Sequence, residues 1–162
     1  MHVLDANVFI EAARRYYAFD LAPRFWQSLS SCVLQGHIQS IDRVKKELLQ
    51  LQDDLSGWVQ DGGFGNGFVP TDTDDVVQIY RDIIGWVYGQ PQFLPGAKTG
   101  FASGADGWLI AYAKTRECII VTQEVLARDA KRTVPIPNVC QAFAVPYVDT
   151  FGMLRALGIT FP

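Results

Sequence analysis

A helix followed at once by a buried strand is predicted by residues 103–124, which read SGADGWLIAYAKTRECIIVTQE. Ser103 and Asp106 have the spacing of a capping box, and the apolar residues that follow them repeat at helical intervals. The short apolar, β-branched run 118–121 then indicates a strand buried in a parallel sheet.

Two carboxylates mark the ends of this helix–strand unit. Asp106 falls in the first turn of the predicted helix, on its apolar stripe. Glu124 lies just beyond Thr122, where the predicted strand ends. Because ligands of α/β proteins bind beside the carboxyl ends of the strands, both acids are candidate site residues.

The rest of the chain continues this alternation of strands and helices. Further strands are predicted at residues 2–5, 37–40 and 145–148. Helices are predicted at residues 7–19, 25–34, 42–55, 71–87, 138–143 and 150–157. The glycine-rich residues 61–68 lack the ending of a P-loop and predict a flexible connection, whereas residues 90–102 predict a substrate-facing loop.

Composition favours an ordinary globular protein whose 162 residues form one domain, 1–162, with a sizeable core. The net charge of −3 argues against a generally basic nucleic-acid coat. Cys32, Cys118 and Cys140 lack zinc-site spacing and are interpreted as reduced core thiols. Neither an export signal nor a membrane-spanning run is visible, so we expect a cytoplasmic protein that does not contact membranes.

Two more acids occupy positions that suggest a site. Asp5 lies at the junction of the first strand and its helix, where its alternative role is to cap that helix. Glu47 falls on the buried stripe of the helix that starts near Asp42, and its alternative role is a surface pair with Arg43.

Acids gathered in one pocket would repel each other, by about 4 kcal/mol for a pair about 4 Å apart at an effective dielectric near 20. Protons or cations must compensate such a cluster. Oxygen ligands without histidine or cysteine suit Mg²⁺ or Mn²⁺, which can activate water for hydrolysis of a phosphodiester. Asp5, Glu47, Asp106 and Glu124 therefore predict metal-assisted hydrolysis.

Four segments carry a resemblance to a known family. They are residues 3–12 (VLDANVFIEA), 43–49 (RVKKELL), 105–113 (ADGWLIAYA) and 119–124 (IIVTQE). In this order and spacing they resemble the acidic motifs of PIN-domain nucleases, including the VapC-like toxins of toxin–antitoxin pairs. The resemblance implies a three-layer α/β/α fold with a central parallel sheet of four or five strands, and a metal-dependent ribonuclease.

The resemblance also implies roles for single residues. Asp5 and Asp106 would be the principal ligands of Mg²⁺ or Mn²⁺, with Glu47 as the third acid. Glu124 stands where an aspartate is more usual, and Asp129 is the substitute considered next. The family pattern assigns Asn7 a role in supporting ligands or water, and Thr122 is taken as a second supporting residue.

Substrate and partners follow from the same resemblance. We expect an RNA substrate, a small cognate antitoxin and a homodimer. Lys98 and Arg14 are the preferred candidates for contacts with RNA phosphates, which confer affinity and not sequence choice. The other candidates are Arg15, Arg128, Lys131 and Arg132.

Two other functions remain open at the level of sequence. A PIN-like module could bind RNA or protein without cutting, and the unusual Glu124 favours this alternative. Phosphoryl transfer through an aspartyl phosphate on Asp5 is disfavoured, since Asn7 stands where a second aspartate is wanted.

Overall fold

Five parallel strands form the centre of the computed structural model, which describes residues 1–161. The strands are β1 (His2–Leu4), β2 (Ile38–Ile41), β3 (Phe68–Val69), β4 (Ile119–Val121) and β5 (Tyr147–Val148). They lie in the order β3-β2-β1-β4-β5, and all four pairings are parallel. The predicted α/β fold with a parallel sheet is therefore confirmed.

Helices flank this sheet and connect its strands. They are α1 (Ala6–Glu11), α2 (Pro23–Leu34), α3 (Asp42–Leu49), α4 (Asp54–Gln60), α5 (Asp74–Gly89), α6 (Pro95–Ser103), α7 (Asp106–Thr115), α8 (Ile136–Phe143) and α9 (Thr150–Ala156). A π-helical turn, Ala12–Tyr16, continues α1, and a 3-10 turn, Gly65–Gly67, precedes β3.

The strand order creates a switch point between β1 and β4. The chain passes from β1 outward through β2 to β3, then returns to the other side of β1 to form β4 and β5. Leu4 pairs with Val121 at the carboxyl ends of the two central strands. In open α/β sheets such a switch point opens the crevice in which ligands bind.

Two predicted helices end earlier than their apolar pattern suggests. The helix predicted over residues 7–19 ends at Tyr16, after its π-helical turn. The helix predicted over residues 42–55 is interrupted between Leu49 and Asp54. Gln52 has a φ of 53° there, a left-handed conformation that an α-helix does not contain.

The prediction of a loop at residues 90–102 was wrong, because α6 occupies most of it. Pro95 starts α6 at the position where a proline costs no hydrogen bond. Ser103 is the last residue of α6, and its hydroxyl donates to the carbonyl of Gly100 at 3.0 Å. The capping box predicted for Ser103 and Asp106 is therefore absent, and Ala105 precedes α7 instead.

The glycine-rich residues 61–68 are also more ordered than predicted. Phe64 is buried, and the Ser30 hydroxyl donates to the Gly63 carbonyl at 2.5 Å. These residues lead directly into β3, which forms the edge of the sheet.

Apolar side chains of the strands and the surrounding helices form one buried core. The thiols of Cys32, Cys118 and Cys140 are buried and unpaired, as the sequence predicts. In the described part of the chain, no helix combines the length and apolar character needed to cross a bilayer.

Candidate metal centre

Asp5 follows β1 directly and lies at the switch point. Its backbone N–H donates to the Val121 carbonyl of β4 at 3.0 Å, which fixes its position beside the neighbouring strand. Asp5 is only 2% exposed, and its Oδ2 accepts a 3.1 Å hydrogen bond from the Thr122 hydroxyl. Burial and, after it, the negative charge of Glu124 raise the pKa of Asp5 to about 7.

Asp106 is the first residue of α7 and lies close enough to the other three acids to be affected by their charges. Burial, followed by the charges of Asp5, Glu124 and Glu47, raises its pKa to about 8. Its place in the first turn of the helix is as the sequence predicts.

Glu47 reaches toward α7 from α3. One carboxylate oxygen accepts the backbone N–H of Ala105 at 3.1 Å, while burial raises its pKa. The alternative of a surface pair with Arg43 was wrong. The Arg43 guanidinium instead lies 3.7 Å from the centroid of the Trp108 ring and donates to the Thr71 hydroxyl at 3.1 Å.

Glu124 lies between the end of β4 and the start of α8. Its Oε2 accepts the backbone N–H of Ile136 at 2.6 Å, and its own N–H donates to the Thr122 hydroxyl oxygen at 3.1 Å. Burial raises its pKa. Asp129, the substitute considered from the sequence, is exposed on the loop that follows β4.

The four acids share one electrostatic environment without forming a closed ligand set. Within residues 1–161, no three histidine, cysteine, aspartate or glutamate side chains are grouped closely enough to hold an ion as they stand. Glu47 and Glu124 each place one oxygen on a backbone N–H and keep the other free of any such bond. The possible ligands are all carboxylates, and burial raises the pKa of each, so they suit a hard divalent cation such as Mg²⁺ or Mn²⁺.

The other predicted site residues differ in whether they share a cavity with the acids. Asn7 lines a cavity of about 390 Å³ together with Glu124. Lys98 donates to the Tyr88 carbonyl at 3.0 Å, and Arg14 pairs with Asp53 at 3.5 Å on the surface. Lys98 and Arg14 therefore have local partners, and neither lines a cavity that contains the acids.

Sequence reasoning did not identify the backbone donors of the site. The N–H groups of Ala105 and Ile136 hold Glu47 and Glu124, and Gln123 lines both cavities that meet at Glu124. Backbone N–H groups have no signal of their own in a sequence. Ile136 lies in the first turn of α8, where a backbone N–H has no partner within the helix, but the sequence pattern predicted this helix only from residue 138.

Comparison with solved structures identifies a similar fold. The crystal structure of FitAcB from Neisseria gonorrhoeae aligns with a TM-score of 0.53 and 20% sequence identity, over 91% of this chain and 96% of that chain. The similarity concerns the fold and, with the parallel sheet, supports the PIN-like α/β fold predicted from the sequence. A search of the curated proteins gave no match.

The family is shown by a match that covers nearly the whole chain. Residues 2–161 match the model described as "Domain of unknown function (DUF4411)", and the chain belongs to that family.

Proposed function

We propose that this chain is a Mg²⁺- or Mn²⁺-dependent endoribonuclease. The proposal is supported above all by the placement of Asp5, Glu47, Asp106 and Glu124 near the switch point, where burial and, after it, the charges of neighbouring acids raise the pKa values of Asp5 and Asp106. A pocket that accumulates negative charge in this way is compensated by cations or protons.

Each acid would have a separate task in such a site. Asp5 and Asp106 would hold the ion, and Glu47 and Glu124 would reach it through their free oxygens, directly or through water. Thr122 donates to Asp5 and so fixes the direction of its carboxylate. A divalent ion supplies an activated water and charge stabilisation at the leaving oxygen of a phosphodiester.

The toxin role is the finer part of the proposal. It rests on the resemblance of the four acidic segments to VapC-like toxins and on the PIN-like fold. The partners would be a small antitoxin and a second copy of the chain. Co-expression with a small open reading frame that adjoins the gene should restore growth, and light scattering should give the mass of a dimer.

A non-catalytic PIN-like module that binds RNA or protein is the second candidate. It is favoured by the backbone bonds of Glu47 and Glu124, which give both acids a local partner without any metal. It differs from the nuclease in one measurable property, since its acids would not need to take up Mn²⁺.

The test compares purified variants on single-stranded RNA in the presence of Mn²⁺. We expect the wild type to cut the RNA and Asp106→Asn to be slower by at least about 100-fold, because loss of a ligand should cost more than loss of an outer-shell contact. Asp20→Asn, which removes one exposed carboxylate, should cut as the wild type does. Equal activity of wild type and Asp106→Asn, or no cleavage by either, would overturn the proposal.

A further inference from the structure

Glu124 lines two cavities. The first has a volume of about 550 Å³ and extends from Asp106 and Glu124 along Gly96 and Gly100 of α6. The second has a volume of about 390 Å³. Because Gln123 and Glu124 line both, the two cavities adjoin there, and together they form a track that passes Asp106 and Glu124.

Basic side chains line each end of this track. Arg132 lines the first cavity from the loop that follows β4, and Arg15 lines the second from the turn after α1. Both are exposed, and the pair of Arg15 with Glu11, at 3.2 Å on the surface, is weak enough for Arg15 to exchange partners. A negatively charged chain would thus meet a cation on either side of the acids.

An aromatic surface adjoins the second cavity. Tyr16, which lines it, is 54% exposed and meets the Phe151 ring edge to face, with 6.2 Å between the centroids. Phe151 is 41% exposed. Basic side chains combined with exposed rings are the usual means by which proteins hold single-stranded nucleic acid, since bases stack on the rings.

We propose that one unpaired RNA chain lies along this track, with Arg132 and Arg15 at its phosphates, a base on Tyr16 and the phosphate to be cut beside Glu124. The proposal rests on the proposed ribonuclease function and adds the path of the substrate. Each cavity has the size of a small-ligand site, of about 300–1,000 Å³. The strand must be single, because in a duplex the faces of the bases stack on each other and are not free to stack on Tyr16.

The first test fills the track without disturbing the fold. A Cβ added at Gly100 meets no atom within 4 Å, so the side chain of Gly100→Leu would extend into the first cavity. Gly85→Leu is the matched control, because Gly85 is an exposed helical glycine of α5 with equal room and lies outside both cavities. Leucine favours a helix more than glycine does, so both variants should unfold at or above the wild-type temperature.

RNA binding is measured on the Asp106→Asn background in EDTA, by fluorescence anisotropy with a labelled single-stranded oligonucleotide. We expect Gly100→Leu to weaken binding by about tenfold or more, as loss of one stacked nucleotide would. Gly85→Leu should bind as its parent does, and a duplex of the same sequence should bind more weakly than the single strand. Equal binding by the two leucine variants would overturn the proposed path.

A second pair of variants tests the phosphate contact. Arg132→Gln should weaken binding and lower the slope of log affinity against log salt by about 1, whereas Arg81→Gln on α5 should leave the slope unchanged. An unchanged slope for Arg132→Gln contradicts its contact with phosphate.

Measurement of RNA cleavage distinguishes a failure of the proposed RNA path from a failure of the proposed nuclease function. If the wild type cuts RNA with Mn²⁺ and Gly100→Leu cuts equally well, the path is wrong and the nuclease stands. If Gly100→Leu loses RNA binding while no variant cuts RNA, the path is right and the chain is a binding module. A third outcome is that a peptide of the antitoxin binds the wild type but not Gly100→Leu, while both proteins bind RNA equally. The track then holds protein and not RNA.

Discussion

Thr122 connects two of the acids through one hydroxyl group. It donates to Oδ2 of Asp5 and accepts the N–H of Glu124, each at 3.1 Å. The hydroxyl is buried, so no water can replace it without rearrangement. Its position links the end of β4 to Asp5, which follows β1, and helps to orient the Asp5 carboxylate.

Replacing Thr122 by valine should therefore weaken metal binding. Valine has nearly the same shape but cannot donate, and loss of an outer-shell partner commonly costs about 10- to 100-fold in metal affinity. Thr122→Ser keeps the hydroxyl and should bind Mn²⁺ nearly as the wild type does. Calorimetric titration with Mn²⁺ measures the effect, and equal affinities of Thr122→Val and wild type would show that the hydroxyl is not needed.

The raised pKa values of Asp5 and Asp106 predict how stability depends on pH without metal. Both pKa values lie above the ordinary 3.8, so folding favours the protonated acids. Their contribution to stability is complete below about pH 4 and is lost as the pH rises through about 7 for Asp5 and about 8 for Asp106. In EDTA, the Tm should fall between pH 5 and pH 9.

Asp106→Asn provides the control for this pH dependence. It removes one of the acids, so its Tm should fall less over the same range and should exceed that of the wild type at pH 9. Saturating Mn²⁺ should restore the wild-type Tm at high pH. Identical pH profiles for wild type and Asp106→Asn, from thermal unfolding in EDTA, would contradict the coupling.

At the scale of the elements, α6 shows how tertiary contacts override local preference. Gly96 and Gly100 lower the helix propensity of residues 95–103, so their sequence predicts a loop. In the fold, the Lys98 ammonium donates to Tyr88 at the end of α5, and the Tyr80 hydroxyl donates to Ala102 at 3.0 Å. The apolar pattern of the sequence does not indicate these hydrogen bonds. They place Gly96 and Gly100 of α6 beside Asp106 and Glu124.

The positions of the acids could be predicted, because local sequence patterns determine the strand or helix on which each acid lies. Asp5 follows an apolar strand, and Asp106 and Glu47 lie on apolar helix stripes, so each was placed without knowledge of the fold. The partners of Glu47 and Glu124 could not be predicted, since they are backbone groups brought near by packing over 58 and 12 positions of sequence. Arg43 was misassigned for the same reason, because Trp108 of α7 offers it a ring face.

The packing around Gly63 predicts how stability depends on the segment between α4 and β3. A Cβ at Gly63 would overlap the indole of Trp58, so a larger residue must displace a packed ring. Gly63→Ala should lower the free energy of unfolding by about 1–3 kcal/mol, as overpacking usually does. Gly57→Ala in α4, where a Cβ meets nothing within 4 Å, is the control and should be neutral or stabilising.

Chemical denaturation followed by tryptophan fluorescence measures both alanine variants. If Gly63→Ala proves as stable as Gly57→Ala, residues 61–68 are loosely packed, as their composition suggested.

At the scale of the whole molecule, one core encloses the sheet and all three thiols. Burial raises the pKa of Cys140 to about 12 and raises those of Cys118 and Cys32 above the ordinary value. Thiolates react with disulfide reagents and thiols do not, so both burial and pKa protect these residues. The cysteines therefore report on opening of the core.

We expect Cys118 and Cys140 to react with a disulfide reagent only as fast as the protein unfolds, whereas Cys32, which lines a cavity of about 650 Å³, should react sooner. The reaction at pH 8 should be slow in buffer and complete within mixing time in guanidinium chloride. Absorbance of the released thiolate measures it. Rapid reaction of two or three thiols in the native protein would contradict a closed core.

The proposed nuclease function requires four carboxylates to act as one cation site at the switch point, and Mn²⁺ uptake is the decisive measurement. Free Mn²⁺ is counted by electron paramagnetic resonance during titration of the wild type, Glu47→Gln and Glu117→Gln; Glu117 is an exposed glutamate between α7 and β4. We predict that the wild type and Glu117→Gln bind Mn²⁺ equally and that Glu47→Gln binds it at least about 10-fold more weakly. Equal uptake by all three proteins, or uptake by none, would contradict a shared cation site.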